Sequence, residues 1–198
     1  MTRLTKVPVD QWDSALREGS AADAATPLEQ GLLRIMAHSP NVAHAVLRFG
    51  GDLMGGHGLP RRLVELVRLR VAFHNQCRSC MAIRYRSAVD DGLSEGAVCS
   101  LERPYEADDL SEAEKAAIAY ADVSSTDHLA IDDDTFDSLR RHFGEAQIVE
   151  LGALIAFFIG FGRLSTAWDM TEELPDGFRD RTRAVVAPWS EASVVVRG

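Results

Sequence analysis

The most informative segment of this 198-residue chain is Glu65-Leu-Val-Arg-Leu-Arg-Val-Ala-Phe-His-Asn-Gln-Cys77-Arg-Ser-Cys80-Met-Ala-Ile-Arg84. Its first half repeats apolar residues on one side of a helix that starts at Pro60, the periodicity of a buried amphipathic helix. Asn75 has the side chain of an N-cap, so a second helix is predicted over residues 76–91. Gly92 then stands where a C′ glycine belongs.

Cys77 and Cys80 fall in the first turns of that second predicted helix. Residues three apart share one helical face, so the two sulfur atoms are expected close enough to form a disulfide. The N–H groups and the positive dipole end of a helix N-terminus favour a thiolate. Arg78 and Arg84 add positive charge, with Arg84 expected on the same face as Cys80. The pattern favours a redox-active dithiol.

Two other interpretations of the cysteine pair remain open. A C-x-x-C sequence can be half of a zinc site, but zinc needs two further ligands. Cys99 and His74 are the nearest candidates, and neither has ligand spacing. The two cysteines could also be buried residues without chemistry. Cys99 itself is predicted to be a small core residue.

Helix signals recur along the rest of the chain, and strand signals are scarce. Further helices are predicted from Pro27, from Pro40 to about Met54, from Ser94 to about Leu101, from Ser111 to about Val123, from about Thr135 to His142, and from Glu145 to about Met170. The sequence therefore predicts an all-α protein of about eight helices. A short strand in the valine-bearing tail is the element most easily missed in such a pattern.

Composition and charge exclude several classes of function. Hydrophobic residues make up 46% of the chain and charged residues 26%, as in ordinary globular proteins. The 21 basic and 30 acidic residues give a net charge of −9, which disfavours binding to nucleic acids and to anionic membranes. The longest uncharged apolar run, residues 151–161, is shorter than the roughly 20 residues of a membrane span. No apolar signal segment follows the N-terminal basic residues, so a cytoplasmic location is predicted.

The spacing of five residues resembles a known family. Glu65, Cys77, Cys80, Arg84 and Ala88 match the core motif of the carboxymuconolactone decarboxylase and alkylhydroperoxidase D-like family, apart from Arg84, where the family has histidine. The resemblance covers about residues 41–168. It implies an alkylhydroperoxidase D-like helical fold and a homo-oligomer, often a trimer or hexamer. We expect a single domain over residues 1–198, with a family-like core at about 41–170 and a C-terminal arm at 171–198.

The resemblance also implies roles for individual residues. In peroxidase members of the family the second cysteine attacks the peroxide and the first resolves the sulfenic acid, while the glutamate and histidine relay protons. By position, Cys80 would be the nucleophile, Cys77 the resolving thiol and Glu65 a relay carboxylate. That order agrees with thiolate, sulfenate and disulfide chemistry.

Arg84 is where the chain departs from the motif. An arginine stays protonated, so it cannot accept a proton from Cys80, although it can lower the pKa of a thiol or hold an anion. His74 and His128 are the candidates to replace the missing histidine, and both could equally be surface or capping residues. Glu65 could alternatively pair with an arginine of its own helix.

Three functions follow as hypotheses. The first is a thiol-dependent peroxidase or disulfide oxidoreductase without a bound cofactor or metal, which takes a small peroxide and is restored by a reducing thiol partner. The second is a cofactor-free lyase like the decarboxylase branch, with Arg84, Arg78 and His74 holding an anionic substrate. The third is a non-catalytic oligomeric homologue.

Overall fold

A computed structural model describes residues 2–197 and confirms the all-α class. Within these residues there are twelve α-helices, more than the eight expected. They are α1 (Ser14–Gly19), α2 (Pro27–Gln30), α3 (Leu33–Met36), α4 (Pro40–Gly55), α5 (Arg61–His74), α6 (Arg78–Ala82), α7 (Arg86–Asp90), α8 (Glu95–Ser100), α9 (Glu112–Thr126), α10 (Asp133–Arg140), α11 (Glu145–Trp168) and α12 (Asp176–Arg179). Two short strands, β1 (Ile83–Tyr85) and β2 (Val194–Val196), pair in parallel.

Helix α5 is the centre of the fold. It packs against α9 on one side and α11 on another, so nine of its fourteen residues are buried. Leu66, Leu69 and Val71 are completely enclosed, and burying an aliphatic side chain contributes roughly 1.5–3 kcal/mol. The same burial extends to Glu65 and Arg68, which places two charged groups inside the core beside the cysteine segment.

Helix α11 begins at the predicted residue, Glu145, and ends two residues before the predicted Met170. The whole helix of 24 residues is long and apolar enough to cross a membrane by length and composition alone. The uncharged run inside it, residues 151–161, is shorter than a membrane span. In this fold α11 packs against α4, α5 and α9. Seven of its residues are buried, so it serves as a core helix here.

The single helix predicted over residues 76–91 is wrong. The segment instead forms α6, then the extended β1, then α7. Extended backbone begins at Ile83 because the fold offers its polar groups better partners than a helix would. Strand β2 pairs along β1, and the backbone N–H of Tyr85 donates to Glu65.

The C-terminal tail packs on the chain's own cysteine segment. Arg78, between the two cysteines, donates to the carbonyls of Phe178 and Asp180 at 2.9 and 2.7 Å, and to that of Arg183. The strand that was hardest to foresee is β2, in register from Ile83 opposite Val194 to Tyr85 opposite Val196. These contacts bring a segment about 100 residues away in sequence to the edge of the cysteine site.

Candidate functional site

A sharp corner between α5 and α6 positions the cysteines. Asn75 is the C-cap of α5, not the predicted N-cap of a following helix, and Gln76 adopts a left-handed conformation with φ of 48°. The Asn75 amide donates to the Phe158 carbonyl at 3.1 Å. Close approach is possible because Gly162 faces Asn75: a Cβ there would lie 2.5 Å from the amide nitrogen. The corner is thereby fixed to α11.

Cys77 and Cys80 are joined by a disulfide, which is the arrangement that their spacing predicted. Cys77 is the N-cap of α6, and its sulfur accepts from the Cys80 N–H at 3.4 Å. Cys77 is 0% exposed, whereas Cys80 is partly exposed. The prediction that Cys99 is a core residue is wrong: this cysteine is free and exposed because the outer side of the short helix α8 carries it.

A cavity of about 390 Å³ opens beside Cys80. Its walls are mostly apolar and include Leu28, Leu32, Met36, Leu47, Phe157 and Phe161. Phe158 of α11 belongs to the hydrophobic core and also lines this cavity. Cys80 lines it too, so the second cysteine of the pair is the one that faces the space.

Arg68 lines the cavity and forms a buried ion pair with Glu65, which does not line the cavity. Arg68 donates two hydrogen bonds of 2.7 Å to the Glu65 carboxylate, which also accepts the Tyr85 N–H at 3.1 Å. The remaining donors of Arg68 bind the carbonyls of Cys80 at 2.7 Å and Ile83 at 3.0 Å. Burial opposes the charge of Arg68, but the Glu65 carboxylate outweighs that effect and raises the arginine pKa. Of the alternatives considered for Glu65, the pairing with its own helix is the one observed.

Arg84 does not lie on a helical face with Cys80. It is 0% exposed in the middle of β1, and its guanidinium donates to Glu95 at 3.1 and 3.2 Å and to the Pro188 carbonyl at 2.8 Å. It also donates to the carbonyls of Met81 and Ile83. Burial lowers the Arg84 pKa from its ordinary value. The hydrogen bonds of the Arg84 guanidinium thus go to Glu95 and to the carbonyls of Met81, Ile83 and Pro188.

The two candidate histidines lie away from the cavity. His74 Nε2 is 2.6 Å from Asp122, which also accepts from Arg70 and from the Tyr105 hydroxyl. Burial raises the Asp122 pKa, but these hydrogen bonds outweigh it and lower the pKa to about 2. His128 is exposed in a 3-10 turn, and neither histidine is among the residues that line the cavity.

Two serines at the site were not among the predicted residues. The Ser79 hydroxyl is 3.6 Å from the Cys77 sulfur and 2.8 Å from the Ser165 hydroxyl, and both serines line the cavity. Ser79 lies inside the C-x-x-C sequence, where its proximity could have been noted. Ser165 comes from α11, 86 residues further along the chain, and no local pattern marks it. A hydroxyl both donates and accepts, so the pair can pass a proton.

A family model matches the central segment of the chain. Residues 40–123 match the model of the carboxymuconolactone decarboxylase family, which is fewer than half of the 198 residues. An uncharacterised protein of Mycobacterium tuberculosis is 39% identical over 89 residues, which are 44% of this chain and 31% of that protein. The chain thus matches about a third of the length of its curated relative.

Solved structures confirm the alkylhydroperoxidase D-like helical fold. A peroxidase-related protein from Ralstonia eutropha with an alkylhydroperoxidase AhpD core has a TM-score of 0.71 and 19% identity, covering 90% of this chain and 94% of that one. The debrominase Bmp8 in complex with 2,3,4-tribromopyrrole has a TM-score of 0.70 and 20% identity, covering 85% and 90%. At these identities the likeness establishes the fold alone.

Proposed function

We propose that this protein is a thiol-dependent oxidoreductase that reduces hydroperoxides through Cys80 and Cys77, as its match to the carboxymuconolactone decarboxylase family model over residues 40–123 supports. The observation that carries the proposal is the asymmetry of the pair. The cysteines form a disulfide, yet only Cys80 lines the cavity, while Cys77 lies fully buried behind it. This matches the division between an attacking thiol that meets the substrate and a resolving thiol that meets only its partner.

The reaction balances with a dithiol and one peroxide. The Cys80 thiolate attacks one peroxide oxygen, the O–O bond breaks, and the alkoxide leaves as an alcohol once it is protonated. Cys80 is then a sulfenic acid. The Cys77 sulfur attacks the Cys80 sulfur, water leaves, and the disulfide forms. Two electrons pass from the dithiol to the peroxide, and an external reducing dithiol restores the pair by thiol–disulfide exchange.

Residues other than a relay histidine support these steps. The helix N-terminus and its N–H groups favour thiolate at the cysteines, and Arg68 adds a positive charge that hydrogen-bonds the Cys80 carbonyl. Glu65 is held by Arg68 and the Tyr85 N–H, so in this proposal it positions the site and does not carry protons. The Ser79–Ser165 hydroxyl pair is placed to relay to solvent the proton that Cys77 loses, each hydroxyl accepting one proton while it donates its own.

The lyase hypothesis has less support in the geometry. It needed Arg84, Arg78 and His74 to bind an anionic substrate together. Arg84 and Arg78 instead bind carbonyls of the C-terminal tail, and His74 binds Asp122. The three side chains therefore serve separate structural contacts, and no observation favours this reaction over thiol chemistry.

A thiol count tests the proposal directly. The chain has three cysteines, so the reduced protein should lose two of three thiols on addition of one equivalent of an organic hydroperoxide and release one equivalent of alcohol. Peptide mapping should then show a Cys77–Cys80 link and a free Cys99. Cys99 also serves as an internal reference, because it is an exposed thiol outside the site.

Three variants make the result specific. Cys80→Ser should release no alcohol, whereas Cys77→Ser should accumulate a sulfenic acid on Cys80 that a cyclic dione traps. Cys99→Ser is the matched control and should keep full turnover. A reduced protein that keeps three thiols, or oxidises Cys99 as fast as Cys80, would contradict the proposal and favour a non-catalytic role.

The partners and the location are part of the same proposal. We propose a small peroxide as substrate, a reducing thiol protein as electron donor, a homo-oligomeric assembly and a cytoplasmic location, with no role in binding nucleic acids or membranes. The acidic charge of the chain supports the last two exclusions.

A further inference from the structure

We propose that residues 186–197, here called the C-terminal lid, close the Cys80 cavity, and that Arg84 is the positioning residue that anchors this lid. The lid would then set the size of the molecule that reaches the Cys80 sulfur. The inference rests on the proposed role of Cys80 as the reacting thiol, and it gives a function to the arginine that replaces the family's histidine.

The lid begins with contacts to the corner that precedes the cysteines. The Gln76 side chain clamps Val186 from both sides: its oxygen accepts the Val186 N–H at 3.0 Å, and its nitrogen donates to the Val186 carbonyl at 3.2 Å. The Trp189 ring packs on Phe73 with centroids 4.7 Å apart. The lid is thus attached where α5 turns into the cysteine helix.

Arg84 holds the middle of the lid. Its guanidinium donates to the Pro188 carbonyl at 2.8 Å and to Glu95, and Glu95 in turn accepts the Ser193 hydroxyl at 3.1 Å. Arg84 therefore reaches the lid both directly and through one carboxylate. Since Arg84 is completely buried, water competes poorly for these donors, and removing the side chain would leave buried carbonyls without a partner.

The far end of the lid forms part of the cavity wall. Strand β2 runs beside β1, and its last residue, Val196, lines the same cavity as Cys80, as does the following Arg197. The backbone N–H and Nε of Arg197 both bind one oxygen of Glu29, at 3.0 and 3.1 Å. Glu29 belongs to α2, which also lines the cavity, so this contact joins the lid to another part of the cavity wall.

The attachments made by the two arginines differ in strength. The Arg197 side chain is 53% exposed, and exposed ion pairs contribute little because water screens them. Arg84 is buried and donates a charged hydrogen bond of 2.8 Å to the Pro188 carbonyl, which is the stronger kind, whereas its contact through Glu95 passes a carboxylate that is 61% exposed. The lid should therefore open at its Arg197 end while Gln76 holds its first residue and Arg84 holds Pro188, which lets small molecules in more readily than large ones.

Alkylation of reduced protein tests the lid in a Cys99→Ser background, so that the exposed Cys99 thiol does not react. Serine keeps a hydroxyl that can donate to the Trp189 carbonyl of the lid, as the Cys99 thiol does at 3.8 Å. The rate is measured with iodoacetamide, which is small, and with fluorescein maleimide, which is bulky, and Cys80 labelling is read by peptide mass spectrometry. The deciding quantity is the ratio of bulky to small rates, because changes in thiolate fraction affect both reagents. Free glutathione, alkylated with the same two reagents, gives the ratio of bulky to small rates for a thiol that no protein shields.

Opening the lid should raise that ratio toward the glutathione value. Arg84→Met and a chain shortened after residue 186 should raise it about tenfold or more, since one hydrogen bond to a charged donor changes an opening equilibrium by that order. Arg197→Ala should give a smaller rise, up to about fivefold. Arg84→Lys, which keeps a donor, should lie between Arg84→Met and the parent, whereas Arg84→His should open the lid and restore no proton relay.

Arg179→Ala is the matched control, because this arginine pairs with Asp176 outside the lid and should leave the ratio unchanged. If Arg84→Met fails to fold by circular dichroism, Arg197→Ala and the shortened chain decide the question. An unchanged ratio in folded forms of both would overturn the lid. Alkylation reports access to Cys80 even if the protein reduces no peroxide, so failure of the proposed function and failure of the lid remain distinguishable.

Discussion

Replacing Arg68 with methionine should destabilise the protein strongly, because the substitution leaves a buried carboxylate without its partner. Glu65 is 2% exposed and Arg68 is 5% exposed. The change removes two hydrogen bonds to Glu65 and the two that hold the carbonyls of Cys80 and Ile83. Breaking a buried ion pair from one side typically costs about 3–5 kcal/mol.

That loss is large for a chain of this size. Domains usually unfold with a free energy of about 5–15 kcal/mol, and near 200 residues each kcal/mol shifts the melting temperature by about 2–4 °C. The Arg68→Met protein should therefore melt roughly 6–20 °C below the parent. Equilibrium urea unfolding of the oxidised forms gives the free energy difference, provided that the m-value is unchanged.

A second variant separates the stranded charge from the lost packing. Glu65→Gln combined with Arg68→Met removes the buried charge, while the amide oxygen can still accept the Tyr85 N–H. The free energy of unfolding of this double variant should therefore exceed that of Arg68→Met alone by about 1 kcal/mol or more. Arg140→Met is the control, since Arg140 forms exposed ion pairs, and it should hardly move the urea midpoint. If Arg68→Met costs under about 1 kcal/mol, or the double variant gains nothing, the buried-pair reasoning is refuted.

Three further outcomes are expected. Hydrogen bonds hold the Asp122 pKa at about 2 despite burial, so the ionised carboxylate stabilises the folded protein above pH 3.8, and this stabilisation is lost as the pH falls toward 2. In thermal melts across the acid range, the melting temperature of Asp122→Asn should therefore fall less steeply with pH than that of the parent. Ser79→Ala should slow disulfide formation from the Cys80 sulfenic acid about tenfold, less than loss of a full general base, and stopped-flow detection of a slower first step instead would speak against a proton path. Light scattering should report a homo-oligomer, because Phe49 and Val149 are exposed on neighbouring long helices; a monomer at micromolar concentration would contradict this.

The sequence alone determined the features that depend on neighbours within about four residues. The helices predicted from Pro27 and from Ser111 begin there, because Thr26 and Ser111 each form a capping box with the glutamate three residues later. The apolar residues of α5 are buried as their period predicted, but residues 63–69 are all buried, so the sequence did not show that Glu65 and Arg68 would be enclosed as well. The three-residue spacing of the cysteines was enough to predict their disulfide, because the geometry of one helical turn brings such residues together.

Only the tertiary structure decided the partners of the buried polar groups. The spacing of Arg84 predicted a helix shared with Cys80, yet one of its three carbonyl partners is Pro188, 104 residues away. Arg84 itself lies in β1, which pairs with β2. The same holds for His74, whose partner Asp122 comes from α9, and for Ser165 beside Ser79. Helix propensity differs by less than about 1 kcal/mol between ordinary residues, whereas a buried polar group without a partner costs about 1–3 kcal/mol. The long-range partners therefore outweigh the local pattern wherever the two disagree.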